Sequence, residues 1–215
     1  MQLLRELVES VELIEEGKGA EKQLYIEGII LQSGIKNRNN RMYPEEVMDK
    51  EVNRYISEKV NNRAAYGELS HPENPHINLE RISHLFTSLV KEGKNYTGKA
   101  RILNTPSGNI ARGILEGNGR LGISSRALGT LKMNNEGINI VQDDFMLSTA
   151  GDLVLDPSAP DAFIQGIMEE VEWIFEATSN SWVQASKIKE EIKRMKSADV
   201  HLQQARFFER FLNSL

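Results

Sequence analysis

The chain has 215 residues and a formal net charge of -5 at pH 7; 40% of its residues are hydrophobic and 27% charged. That balance suits one soluble globular core with extensions, and it excludes a disordered chain or two full-sized domains. With no cysteine, thiolate nucleophiles, disulfides and zinc–thiolate sites are excluded.

No apolar run is long enough to cross a bilayer, and the first residues carry acids where a secretory signal would carry lysines, so a cytoplasmic protein away from membranes is expected. The dispersed basic residues argue against a nucleic-acid partner.

Residues 2–16 place Leu3, Leu4, Leu7, Val8, Val11 and Ile14 near the spacing of one helical face, which predicts an amphipathic N-terminal helix. Gly17 and Gly19 break it, and Gln23–Gln32 is rich in β-formers and reads as the first strand of the core. Residues 34–43, dense in Asn and Arg, read as a loop. Pro44 followed by two glutamates starts a helix running to about Val60.

From Arg63 to Pro160 the texture changes to short β-like runs: Ala65–Leu69, Ile82–Val90, Tyr96–Leu103, Leu121–Ser125, Gly137–Leu147 and Asp152–Leu155. One helix interrupts them over Ser107–Leu115, with Ser107 as its cap. After Asp161 the sequence reads as helical, breaks at residues 177–181 and resumes over Trp182–Leu215 as a helical tail. The expected organisation is an N-terminal helical extension over 1–19, a β-rich domain carrying helices over 20–165, and a C-terminal helical tail over 166–215.

Two segments carry candidate chemistry. In Gly67–Pro72 the proline ring bars helical backbone at His71 and holds it extended at a strand's end. In Gly122–Gly129 small residues and the pair Ser124 and Ser125 occupy a strand and the turn that follows. A serine hydroxyl is nearly inert at neutral pH and needs an imidazole to take its proton, a step worth roughly 10²–10⁴-fold. Spacing alone does not bring residues 71 and 124 together, and most serines and histidines have no chemistry.

The hydrolase elbow is absent, since Arg126 stands where that motif needs glycine. A carboxylate–histidine metal site drawn from His71, His76, His84, Glu68 and Glu73 is an alternative. A non-catalytic scaffold or capsid-core protein is another.

The blocks Leu24–Gly28, Asn37–Pro44, Gly67–Pro72, Ile123–Gly129 and Pro157–Ala162 occur in an order that resembles the prohead core proteases of T-even-like tailed phages. The resemblance implies an α+β fold similar to the herpesvirus assemblins, a β-barrel ringed by helices. It also implies a serine endopeptidase that degrades the internal scaffold and trims capsid proteins inside the prohead, without a cofactor or metal.

Carried over residue by residue, the resemblance puts the nucleophile at Ser124 and the base at His71. Asp152 is the carboxylate that orients the base, with Glu68 in reserve. Ser125 and Arg126 are then the oxyanion or substrate-binding neighbours, and Arg126 is equally open to a structural ion pair. The resemblance further implies cutting after glutamate when an aliphatic residue lies two positions earlier. Ile14-Glu15-Glu16 and Ile174-Phe175-Glu176 fit, so self-cleavage after Glu16 and Glu176 is expected. Ile114-Leu115-Glu116 matches as well but lies in the expected core helix and should survive, and chance explains the matches of Leu4-Arg5-Glu6 and Ile188-Lys189-Glu190. A homo-oligomer is expected, with rings and dimers both open.

Overall fold

The computed structural model describes residues 1–8, 12–16, 23–72, 74–155, 173–176 and 181–184. Among them are thirteen strands and two α-helices. The chain opens with β1 (Gln2–Val8) and β2 (Glu12–Glu16), then β3 (Gln23–Gln32) and the short β4 (Arg41–Met42).

Helix α1 (Glu45–Tyr55) follows, started by Pro44 and two acids that suit the positive end of a helix. It buries Val47, Met48, Val52 and Tyr55 and runs into a π-helical turn at Ile56–Val60. Strands β5 (Tyr66–Glu68), β6 (Ile82–Glu92) and β7 (Asn95–Ile102) precede α2 (Pro106–Glu116). The cap of α2 is Thr105, whose hydroxyl accepts from the Gly108 amide at 3.0 Å, rather than Ser107.

Strands β8 (Leu121–Gly129), β9 (Leu131–Met133), β10 (Asn139–Val141) and β11 (Met146–Leu155) complete the core, and β12 (Trp173–Glu176) pairs with β13 (Ser181–Gln184) as a hairpin.

Two sheets hold the core, a five-stranded one ordered β2-β3-β7-β6-β5 and a three-stranded one ordered β1-β8-β11; a small sheet β4-β10-β9 flanks them. Phe86, Ile123, Ala150 and Leu153 lie fully buried in the shared core. The two main sheets meet where β5 runs out beside β11: Leu69 and Leu153 form a parallel bridge, and the Ser70 amide donates to the Leu153 carbonyl at 2.7 Å.

The expected closed barrel is not what forms. Among the described residues β1 and β2 belong to different sheets and do not pair with each other, so the strands wrap without closing. Two α-helices accompany them.

The helices expected at the ends are also corrected where residues are described. Residues 2–8 and 12–16 are strands, as are 173–176 and 181–184. In β1 the cause is burial on both faces: Leu4 joins the main core while Leu3 packs with Leu128, Met1 and Met146. Adjacent leucines that are both buried break the alternation of a strand and imitate a helical stripe. The rest of the expected tail, 166–172, 177–180 and 185–215, lies outside the described residues.

Candidate active site

Strand β8 supplies Ser124 from its middle. All nine residues of the strand are buried, and Ser124 itself is 3% exposed. Its neighbour on one side is β11, where Asp152 stands opposite Ser124 in the antiparallel register. Directly opposed residues place their Cβ atoms roughly 4.5–5.5 Å apart on the same face.

That alignment depends on a bulge. Thr149 opposes Arg126 and Asp152 opposes Ser124, so β11 spends three residues where β8 spends two. One extra residue turns the side chains beyond it to the other face. Gly151 sits in the bulge, and a Cβ there would lie 2.4 Å from Ile123 Cγ1.

His71 reaches Asp152 from the other sheet. Ser70 takes a positive φ of 64°, a left-handed turn uncommon for a residue with a side chain. Immediately after this turn, His71 Nδ1 donates to Asp152 Oδ2 at 2.9 Å, with the imidazole 19% exposed and the carboxylate fully buried. Asp152, and not Glu68, is the carboxylate that meets the ring.

Four donors converge on Asp152. Besides His71, the Glu68 amide reaches Oδ1 at 3.0 Å, Arg126 Nε reaches Oδ2 at 2.9 Å, and Arg126 Nη2 reaches Oδ1 at 3.3 Å. Burial alone would push this carboxyl up, but the hydrogen bond from His71 and the charge of Arg126 outweigh it and hold Asp152 below the usual carboxylate range. An ionised carboxylate only accepts, so Nδ1 carries the proton of this bond and Nε2 is the ring nitrogen that Asp152 does not engage.

Of the two roles open to Arg126 in the sequence, the structure shows the ion pair. Its guanidinium is fully buried and has five N–H donors. Nε and one Nη2 proton go to Asp152, the other Nη2 proton to Glu68 Oε1 at 2.9 Å, and Nη1 to the carbonyls of Asn74 at 2.7 Å and His76 at 2.8 Å. No donor remains for a substrate. The two carbonyls lie just beyond His71 in the chain, so Arg126 ties the strand of Ser124 to the loop that carries the imidazole.

Ser125 alternates to the opposite face of β8 from Ser124 and Arg126. Its hydroxyl therefore does not join the Asp152 cluster, although its backbone amide remains next to Ser124.

Glu68 is buried with Arg126 and also accepts from the Asn78 amide at 2.9 Å. His84 donates from Nε2 to the Gly151 carbonyl at 3.1 Å and accepts from the Ser83 hydroxyl at 2.9 Å. Burial pushes its pKa down to about 4, so the ring is a neutral buttress behind the bulge. His76 contributes its carbonyl to Arg126. The convergence of His71 with His76 or His84 that a metal site would need does not occur, and among the described residues no group of three metal-binding side chains forms.

On its other edge β8 pairs with β1, with Glu6 opposite Ser125 and Leu7 opposite Ser124. Arg5 Nη2 donates to the Pro72 carbonyl at 2.9 Å.

Sequence reading did not anticipate the roles of Glu68, His84 and the carbonyls of Asn74 and His76. One signal was available: an arginine in the middle of the apolar strand Leu121–Gly129 predicts a buried, fully paired charge.

Comparison with known proteins identifies relatives of the chain. The sequence profile of the prohead core protein serine proteases matches residues 4–172. The prohead core protein protease of Enterobacteria phage T4 is 37% identical over 166 residues, covering 74% of this chain and 78% of that protein. The solved structure of the bacteriophage T4 capsid assembly protease superposes with a TM-score of 0.66 at 33% identity, covering 71% of this chain and 97% of that one. The chain belongs to the prohead core protein serine protease family.

Proposed function

We propose that this protease degrades the internal scaffold and trims capsid proteins inside the assembling prohead, with Ser124 as nucleophile, His71 as general base and Asp152 as the group that orients the base. The observation that carries the assignment is the pairing of Asp152 with both partners: a 2.9 Å bond to His71 Nδ1 and a directly opposed position to Ser124.

The chemistry follows from that arrangement. His71 Nε2 takes the Ser124 proton as the hydroxyl oxygen attacks the substrate carbonyl. Asp152 holds the tautomer and stabilises the imidazolium. Backbone amides after Ser124, beginning with that of Ser125, supply donors for the oxyanion, each worth roughly 10²–10³-fold. The imidazolium then protonates the leaving amine, and water attacks the acyl-enzyme by the same route.

The test is peptide cleavage after glutamate in an (Ile/Leu)-x-Glu sequence, with Ser124→Ala beside the wild-type chain. Loss of activity by roughly 10⁴-fold or more is expected, together with loss of fluorophosphonate labelling. Undiminished cleavage by Ser124→Ala removes the assignment.

Self-processing belongs to the same proposal. Glu16 ends β2, where it pairs with Lys99 Nζ, and Glu176 ends β12. Cuts after them would detach the N-terminal strands and the tail beyond residue 176. Each strand must first leave its partner, because a paired backbone does not enter an active site. Intact-mass measurement of the wild-type chain and Ser124→Ala reads the outcome: termini after Glu16 and Glu176 in the first alone are expected, and identical termini in both refute self-cleavage. The active form is proposed to be a homo-oligomer.

A further inference from the structure

The Asn-Arg loop takes no part in the Ser124–His71–Asp152 group, yet its side chains converge on one carboxylate. Asn39 Nδ2 donates to Glu6 Oε2 at 2.9 Å. Arg41 Nη1 at 3.0 Å and the Tyr43 hydroxyl at 2.9 Å both donate to Glu6 Oε1. The ion pair is well enclosed, with 6% of the Arg41 side chain and 14% of the Glu6 side chain exposed. Three donors, one of them charged, around a carboxylate within a wall of the protein make a receptor for an anion of fixed length.

The loop that carries the receptor is braced by its own side chains and by its neighbours. Asn37 Oδ1 accepts from the amides of Asn39 at 3.0 Å and Arg41 at 2.9 Å, so the loop folds around its own side chain. Arg41 and Met42 pair with β10, and the Tyr43 ring packs edge-on against Phe145 at 5.1 Å. Two of the donors also reach the backbone of β1, Asn39 Nδ2 to the Arg5 carbonyl at 3.1 Å and Arg41 Nη1 to the same oxygen at 3.3 Å.

The position of the receptor relative to the nucleophile gives it meaning. β1 is extended along β8, and the register places Leu7 opposite Ser124. With the Glu6 carboxylate in the receptor, the peptide bond that follows Glu6 runs alongside Ser124. Leu4-Arg5-Glu6 also has an aliphatic residue two positions before a glutamate, the pattern expected of substrates. A strand of substrate sequence thus lies beside the nucleophile with its glutamate held by three donors.

We infer that Asn39, Arg41 and Tyr43 form the subsite that selects glutamate at the residue preceding the scissile bond, and that Glu6 occupies this subsite here. The inference rests on Ser124 being the nucleophile. Aspartate is one methylene too short to meet donors from both sides. Glutamine loses the charge that Arg41 recognises and turns an amino group toward donors, and a buried polar site rejects such an analogue strongly.

The experiment uses the full-length chain and two peptides that differ only in Glu or Gln before the cut, with rates normalised to the fraction of serine labelled by a fluorophosphonate. In Arg41→Gln the ratio of kcat/KM for the Glu peptide over the Gln peptide falls by roughly 10–100-fold, the scale of a hydrogen bond to a charged group. Tyr43→Phe keeps the ring and removes one donor, so a fall of about 3–10-fold in the same ratio is expected from a protein that still folds. An unchanged ratio in Tyr43→Phe, or in Arg41→Gln where that variant folds, overturns the subsite. A wild-type chain that cuts after glutamate while Ser124 stays unlabelled instead overturns the nucleophile, and the two failures are distinct.

Discussion

Arg126 shows what a buried charge requires at the scale of one residue. Glu68 and Asp152 both lie fully buried against it, away from the screening of water. Removing the cation strands two carboxylates, a situation that costs about 3–5 kcal/mol in comparable buried pairs. Arg126→Gln is therefore expected to lower stability by that amount in urea titration. Adding Glu68→Gln to it should recover part of the loss, because one of the two stranded charges disappears. Additive losses in this double-mutant cycle would show that the two side chains are not coupled. At this scale the sequence was partly legible. His71 and Ser124 stood out by motif, while the function of Arg126 depended on which residues 26 to 58 positions away would face it.

At the scale of elements, the site is made by close approaches that glycine alone permits. A Cβ on Gly67 would stand 2.2 Å from His84 Nε2 and 2.3 Å from the Gly151 carbonyl. Strand β5, the buttressing histidine and the bulge of β11 are thus pressed into one layer. Gly67→Ala should lower stability by about 2–3 kcal/mol or more through overpacking, read as a drop in Tm with the same variant at the open Gly113 position as control.

The strands from Gln23 to Leu155 were most legible where one face is buried and the other is polar. Strand β7, buried at every second residue, shows the pattern that sequence reading detects. β1 was misread because both its faces are buried at Leu3 and Leu4. The bulge at Gly151 was invisible, since register shifts leave no mark on composition.

At the scale of the whole molecule, the neutral His84 couples folding to pH. Its pKa is about 4 when folded and near 6.5 when the chain is unfolded. Between those values the unfolded chain binds a proton that the folded one refuses, so stability falls as pH drops through this window and is level above it. Asp152 is also held low, in its case because His71 and Arg126 favour the charged form, and its contribution is lost only at still lower pH. Urea midpoints should show a loss of roughly 2 kcal/mol between pH 7 and 5 that is absent in His84→Gln. Equal losses in both proteins would place the proton elsewhere.

The hydrogen bond between His71 and Asp152 spans 81 positions of chain, and that from the Glu68 amide to Asp152 spans 84. During translation the imidazole and its loop emerge long before β11, the strand that carries their partner. Synthesis at roughly 5–20 residues per second leaves several seconds in which the nascent chain holds a histidine and a serine but no ordered pair. On the proposed assignment, a ribosome-bound or prematurely terminated fragment ending before residue 152 is expected to be inert, with a destructive enzyme coming into being only once almost its entire core has left the exit tunnel.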